Sequence, residues 1–304
     1  MLIITQITVL TLFALSPVFL SPAGAKSPIL KPGEVVLSAD VVSNSLLPRN
    51  WRASTTFGSG EFSPDQFLVA RKEAGTSKLL VVDLRQEPHG FINDRPVTWY
   101  ADQNALNSGK STEEIEKDEI RRLAETVGRK LDITLWLPDE GLPGKPKSKP
   151  SIQKTDVKSA RTERSLVEAL GAQYRRLPIP DYQRPDDATV NQIVSLYKTV
   201  DPQTGIYVHC AAGKGRTTTL MVLFDIMRNG SQVSERDIIR RQHTIGGADL
   251  LDLSKAGQRT LWAKERKDFL HAFYRYSQSQ APLFKMTWTE WLKTDSGRRI
   301  PTAE

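Results

Sequence analysis

An α/β fold, with a central sheet flanked by helices, is predicted by three features of this 304-residue chain. Short apolar runs alternate with helical patterns. One of those runs passes directly into a glycine-containing loop that opens a helix, and no unit of roughly 20 to 50 residues repeats, which excludes solenoids and propellers. Hydrophobic residues make up 39% and charged residues 25% of the chain, a balance that supports a buried core and excludes disordered and collagen-like classes. The length allows one large domain or two moderate ones.

Residues 1–25 are uncharged and mostly apolar, are broken by Pro17 and Pro22, and end in Ala23-Gly24-Ala25. The Ala-x-Ala ending reads as a cleaved signal peptide, although the usual basic start is missing; a membrane anchor is the alternative. The remaining residues, 26–304, form the catalytic domain of this reading and retain the whole formal charge of +7. Such a surface suits a polyanionic partner or simple solubility.

Ser63-Pro64-Asp65-Gln66 supplies an N-cap, a first-turn proline and a capping-box Gln, with Gly75 as the stop. The apolar, β-branched run at 78–85 reads as a buried strand ending in Asp83, Arg85 and Glu87, which form a buried ionic brace. A second capping box at Ser111 and Glu114 starts a helix running towards Gly128, with Ile115, Ile120, Leu123 and Val127 on its buried face. Residues 131–137 alternate as a half-buried strand, and the Pro, Gly, Lys and Ser of 138–158 mark a surface loop or the edge of a subdomain. A helix ending at Gly171 precedes a strand at 174–179, a proline-bracketed loop, and a helix capped by Asp187 that carries Val190, Ile193, Val194, Leu196 and Tyr197. The strand at 206–208 then enters the loop at 209–217, and a helix with Leu220, Met221, Leu223, Phe224 and Met227 runs to Gly230. Another helix begins near Gln258, and Trp288 and Trp291 are core residues of a last helical pattern.

The only cysteine, Cys210, opens a C-x5-R-T segment with glycines at 213 and 215. A lone cysteine is ordinarily a small buried hydrophobe, but these surroundings supply each part of a phosphoryl-transfer site. The amides of Ala211, Ala212, Gly213, Lys214 and Gly215, at the start of a helix, would stabilise a thiolate and hold phosphate oxygens. Arg216 would clamp two oxygens in a bidentate geometry that lysine does not offer. Thr217 would donate to the sulfur, and His209 would support the loop from behind. No G-x4-G-K-[ST] string is present, so a Walker loop is rejected.

Transfer from an alkyl phosphate also needs a proton for the departing oxygen. Asp181, between Pro180 and Pro185, is the best-placed donor; Asp186 is the second choice and Asp187 reads as a cap. The C-x5-R-T loop matches the signature of the cysteine-dependent phosphatases of the protein-tyrosine phosphatase superfamily. Beyond it, Asp83-Leu84-Arg85-Gln86-Glu87-Pro88-His89-Gly90-Phe91, Trp99-Tyr100 and Arg241-Gln242-His243-Thr244-Ile245-Gly246-Gly247 resemble segments of the bacterial protein-tyrosine-phosphatase-like phytases. The similarity extends from about residue 48 to 293.

That resemblance implies a phosphatase-like sheet with a small partial β-barrel drawn mainly from about 100–172, and myo-inositol polyphosphates as substrates. It implies no metal, no cofactor, no nucleic-acid partner and no stable membrane anchor after signal cleavage. No pattern specifies an oligomeric state. Arg52, Lys255 and Arg259 become candidate contacts for further ring phosphates, against an ordinary reading as surface charge. Gln242 becomes a candidate for positioning water, and His243 a structural hydrogen-bonding residue. Two segments depart from the family pattern: in the loop Ala211 and Lys214 replace an acidic and an apolar residue, and around the acid Pro180-Asp181-Tyr182 replaces Thr-Asp-His. Lys214 resembles the phosphoinositide-phosphatase loop, where the lysine meets a second phosphate. Rival readings keep the chemistry on phosphotyrosine or phosphoinositide lipids, keep only polyanion binding without turnover, or assign rhodanese-like sulfur transfer, which leaves the upstream acid and Thr217 unexplained.

Overall fold

The computed structural model describes residues 35–40, 48–49, 55–74, 78–135, 151–254 and 257–298. The expected leader at 1–25, Gly75, residues 136–150 of the Pro/Lys-rich stretch, Arg52 and Lys255 lie outside those residues. Among the described residues no helix is long and apolar enough to cross a membrane.

One sheet is parallel and four-stranded, with β2 (Thr56–Ser59), β10 (Gly205–His209), β3 (Leu79–Arg85) and β9 (Gln173–Ile179) in that spatial order. Successive residues of β3 point to opposite faces. Leu80, Val82 and Leu84 join the cluster under α4 (Asp187–Thr199), α5 (Gly215–Asn229), α6 (Glu235–Thr244), α7 (Gln258–Gln280) and α8 (Trp288–Trp291). Leu79 and Val81 face the cluster that contains Phe67 of α1 (Pro64–Glu73) and Leu166 of α3 (Glu163–Ala169). Helices on both faces explain why the strands read as nearly continuous apolar runs. Trp288 and Trp291 are buried in the first cluster, as expected. A short α9 (Asp295–Arg298) closes the described chain.

The second sheet is six-stranded, mostly antiparallel and curled into a half-barrel; its strands at 130–135, 151–156 and 160–161 fall within the expected 100–172, but those at 35–39, 89–92 and 95–101 come almost wholly from before it. Its spatial order is β7 (Ser151–Asp156), β6 (Lys130–Leu135), β1 (Val35–Ala39), β5 (Arg95–Ala101), β4 (His89–Ile92) and β8 (Ala160–Arg161). The stretch read as a loop or a subdomain edge therefore contains an edge strand at 151–156. The β4–β5 hairpin turns through Asn93 and Asp94 with φ of 49° and 62°, the left-handed pair that a two-residue hairpin requires.

Two expectations need correction. In α2 (Thr112–Ala124) the buried face is Ile115, Glu119 and Leu123, whereas Ile120 and Val127 are 56% and 48% exposed. Residue 120 lies five positions from 115, well round the helix from that stripe. The cap of α4 is Asp186, whose carboxylate accepts from Thr189 N at 2.7 Å; Asp187 is the first helical residue and binds Arg184 and Trp288 instead.

Between the sheets lies a buried set of charges. Arg85, at the end of β3, reaches Glu61 at 2.5 Å, Glu87 at 3.0 Å and Asp40 at 3.0 Å. Thr98 of β5 donates to Asp40 at 2.6 Å. Arg176 of β9 binds Glu119 of α2 at 2.7 Å, and His209 meets Glu163 at 2.7 Å. Of the brace expected at Asp83, Arg85 and Glu87, the Arg85–Glu87 pair is present, whereas the Asp83 carboxylate faces Arg176 at 3.3 Å and His89 at 3.4 Å; every member of such a lattice must be paired to be tolerated in the interior.

The lattice makes stability depend on pH. Burial opposes charge on His209, but Glu163 and Glu61 outweigh it and lift the imidazole from 6.5 to about 9. Burial and the neighbouring Glu163 push Glu61 up to about 7. Burial works against Glu87 too, yet Arg216 and Arg85 hold it well below the carboxylate range. A raised His pKa contributes fully below the unfolded value and is lost as pH rises through the folded one; the Glu61 contribution is lost in the same direction. The depressed Glu87 contributes above the carboxyl range and is lost on acidification. Urea midpoints are therefore expected to peak near pH 4.5 and to fall towards pH 10, first through Glu61 below about pH 7 and then through His209, which supplies on the order of 3 kcal/mol of that fall. A midpoint that rises from pH 7 to 9 would contradict this.

Candidate active site

The site is assembled where β10 ends and α5 begins. Cys210 is buried, and the turn through Gly213 has φ 67°. A Cβ on Gly213 would lie 2.2 Å from Gly60 N and 2.4 Å from the carbonyl carbon of Ser59, so the loop packs backbone against backbone on the segment after β2. Glu61 N donates to the Ala211 carbonyl at 3.0 Å from the same segment. Among the described residues no side chain caps α5, which leaves its first amides to an incoming anion.

Thr217 Oγ1 donates to Cys210 Sγ at 3.1 Å, as the sequence predicts. Arg216 folds back beneath the loop. Its two terminal nitrogens grip Glu87 at 2.6 and 2.9 Å, and NH1 also donates to the Ile179 carbonyl at 3.2 Å. Burial works against its charge, but Asp181 and Glu87 outweigh that and hold it well above the usual guanidinium range. Its Nε has no partner among the described residues, a buried donor still unspent. His209 lies behind the loop, bonded through Nε2 to Glu163.

Asp181 follows β9 and reaches the same guanidinium, with Oδ1 3.2 Å from Arg216 NH2. The Tyr182 amide donates to Oδ1 at 3.0 Å, and Asn104 Nδ2 donates to Oδ2 at 3.1 Å. Asn104 arrives by way of the 3-10 turn at Asp102–Asn104, where Gln103 and Asn104 both hold positive φ. Cys210, Arg216 and Asp181 thus converge from the ends of β10, α5 and β9, with one support from the turn that follows β5.

The other expected residues are distributed as follows. Lys214 is anchored by its ammonium to the Gly246 carbonyl at 2.8 Å. Arg259 lies over the Tyr182 ring, 4.1 Å from its centre, beside the acid-bearing turn. Gln242 is buried on α6 with Nε2 donated to Asp225 at 3.1 Å, and its Oε1 has no partner among the described residues. His243 bonds the Gly247 carbonyl at 3.2 Å. Sequence reasoning missed the link from Glu87 to Arg216, and also missed Asn104, Glu163 and Arg49. Arg49 donates to the Gly213 carbonyl at 2.6 Å and to Thr218 at 3.2 Å. Only Arg49 carried a usable signal, since it stands three residues before Arg52 in a stretch already under attention.

Among the described residues, Glu61, His89 and Glu163 have ligand atoms close enough for a metal ion. Arg85 already pairs with Glu61, and His209 with Glu163, so an added cation would face two like charges.

The profile of a family named PTPlike_phytase, described as "Inositol hexakisphosphate", matches residues 82–228. A PTP-like phytase from Bdellovibrio bacteriovorus is 31% identical with a TM-score of 0.72, over 91% of this chain and 99% of that one. The PTP-like myo-inositol phosphatase from Mitsuokella multacida, solved in complex with myo-inositol-(1,3,4,5)-tetrakisphosphate, is 29% identical with a TM-score of 0.72, over 79% of this chain and 41% of that one. Effector protein hopD2 of Pseudomonas syringae pv. tomato is 29% identical over 232 residues, 75% of this chain and 49% of that protein. The chain thus spans about half the length of that curated relative.

Proposed function

Because this chain belongs to the family of protein-tyrosine-phosphatase-like phytases, we propose that it removes phosphate from myo-inositol polyphosphates through a phosphocysteine, without a metal or cofactor. The observation that carries this reading is the position of Arg216, held by Glu87 below the Cys210 loop and paired with Asp181. Cys210 Sγ attacks phosphorus as the phosphorus–oxygen bond to the ring breaks, and the Asp181 proton passes to the departing alkoxide. The loop amides and Arg216 stabilise the transferring phosphoryl. Water then attacks the phosphocysteine, its proton returns to Asp181, and the sulfur leaves as thiolate. A substrate phosphate meets a loop whose anion donors are already placed, so the geometry supports phosphoryl transfer in particular. The Mitsuokella complex supports an inositol polyphosphate as the substrate class.

Arg52, Lys214, Lys255 and Arg259 are the proposed contacts for the remaining ring phosphates, and Gln242 the residue that positions water. Residues 1–25 are proposed as an export signal, which would place the enzyme in the periplasm or outside the cell.

The test is phosphate release from myo-inositol hexakisphosphate in chelator-containing buffer, beside phosphotyrosine peptides at matched concentrations. Sustained release, with preference for the inositol phosphate, is expected. Preference for the peptide would overturn the substrate class, and tight binding without release would reduce the protein to a polyanion binder.

A further inference from the structure

We propose that the first turns of α7 clamp the acid-bearing turn at 180–183 over the Cys210 loop, with Tyr182 and Trp262 as the positioning residues. This rests on the reading of Asp181 as proton donor. Residues 259, 262 and 266 stand three and seven positions apart, on one face of the helix. All three meet Tyr182. The Arg259 guanidinium lies 4.1 Å from the ring centre, and the Trp262 indole stacks on the ring with centroids 6.2 Å apart and planes within 10°. Arg266 NH1 donates to the Tyr182 carbonyl at 3.3 Å.

Arg266 also ties the clamp to the nucleophile. A Cβ on Gly215, the first residue of α5, would lie 3.3 Å from Arg266 NH1, so this guanidinium sits between the acid turn and the end of the Cys210 loop. Burial lowers its pKa, against the attraction of Asp181. Tyr182 holds φ 65°, a left-handed conformation that aromatic residues adopt sparingly. Its stacking and cation–π contacts fix the residue there, and the amide of that same residue donates to Asp181 Oδ1 at 3.0 Å. Grip on the ring therefore becomes orientation of the carboxyl group, where a displacement of about 1 Å is enough to slow proton delivery.

The experiment compares an alkyl and an aryl phosphate. Departure of an inositol oxygen needs a proton, whereas the nitrophenolate of p-nitrophenyl phosphate leaves without one. Tyr182→Asn removes the ring but accepts the left-handed backbone; Trp262→Leu removes the stack from the helix side. In both, kcat/KM, which reports phosphocysteine formation and not its later hydrolysis, is expected to fall roughly ten- to hundredfold for myo-inositol hexakisphosphate and by less than about threefold for p-nitrophenyl phosphate. Asp181→Asn serves as the reference and should show the same selectivity with a larger loss. Equal losses on both substrates, or none, in the Tyr182 and Trp262 variants would overturn the clamp while a selective Asp181→Asn leaves the proton-donor reading standing. An unselective Asp181→Asn would remove that reading, and the clamp with it.

Discussion

Replacing Cys210 by serine is expected to reduce phosphate release by roughly 10⁴-fold or more while the protein still folds and binds inositol phosphate. A serine hydroxyl is almost wholly protonated at neutral pH and leaves poorly from phosphorus, so both halves of the reaction suffer. The substitution changes little else, because the side chain is buried with a single polar contact shown, from Thr217, and a hydroxyl can accept the same bond. Acid-quenched parent enzyme should carry phosphate on the peptide containing Cys210, and the variant none. Residual turnover above about a hundredth of the parent would remove Cys210 from the nucleophile's role.

Glu87→Gln is expected to produce the second large effect. One carboxylate serves two buried guanidiniums: Arg216 through both oxygens and Arg85 through Oε1. An amide keeps the shape but neutralises the charge and turns an N–H towards a cation. Breaking a buried pair typically costs about 3–5 kcal/mol, and a displaced anion clamp costs catalysis roughly 10²- to 10³-fold. Urea unfolding and kcat/KM together check this, with Glu125→Gln as the contrast. Glu125 pairs with Arg121 on the surface, with both side chains more than half exposed, and its loss should move neither quantity. Parental kcat/KM in Glu87→Gln would mean that Arg216 keeps its orientation without the carboxylate.

The parts of the fold legible in the sequence were those written locally. The capping boxes at Ser63 and Ser111 and the strand–loop–helix around Cys210 depend on neighbours within a few residues. The Asn93-Asp94 turn carried an equally local signal that the sequence reading passed over. The face of α2 was misjudged because apolarity favoured Ile120, whereas the fold buries Glu119 against Arg176, a partner 57 positions away. The same limit applies to the site. Cys210, Arg216 and Thr217 sit in one string, but the carboxylate that orients Arg216 stands 129 positions earlier. The asparagine that contacts Asp181 comes from 77 positions upstream. Those pairings are made by topology, and no spacing in the chain announces them.

The salt links between the two sheets also bear on how the molecule can come apart. Arg85 belongs to the parallel sheet, but two of its contacts, Asp40 and Thr98, belong to the partial barrel, and Arg176 reaches α2 in the same way. Neither layer can melt alone without stranding an ion in a dry interior, a penalty of several kcal/mol for each. These shared ions oppose the melting of one sheet without the other, so the barrel strands are not a detachable decoration on a phosphatase core. A boundary drawn between the sheets would cut through shared charge.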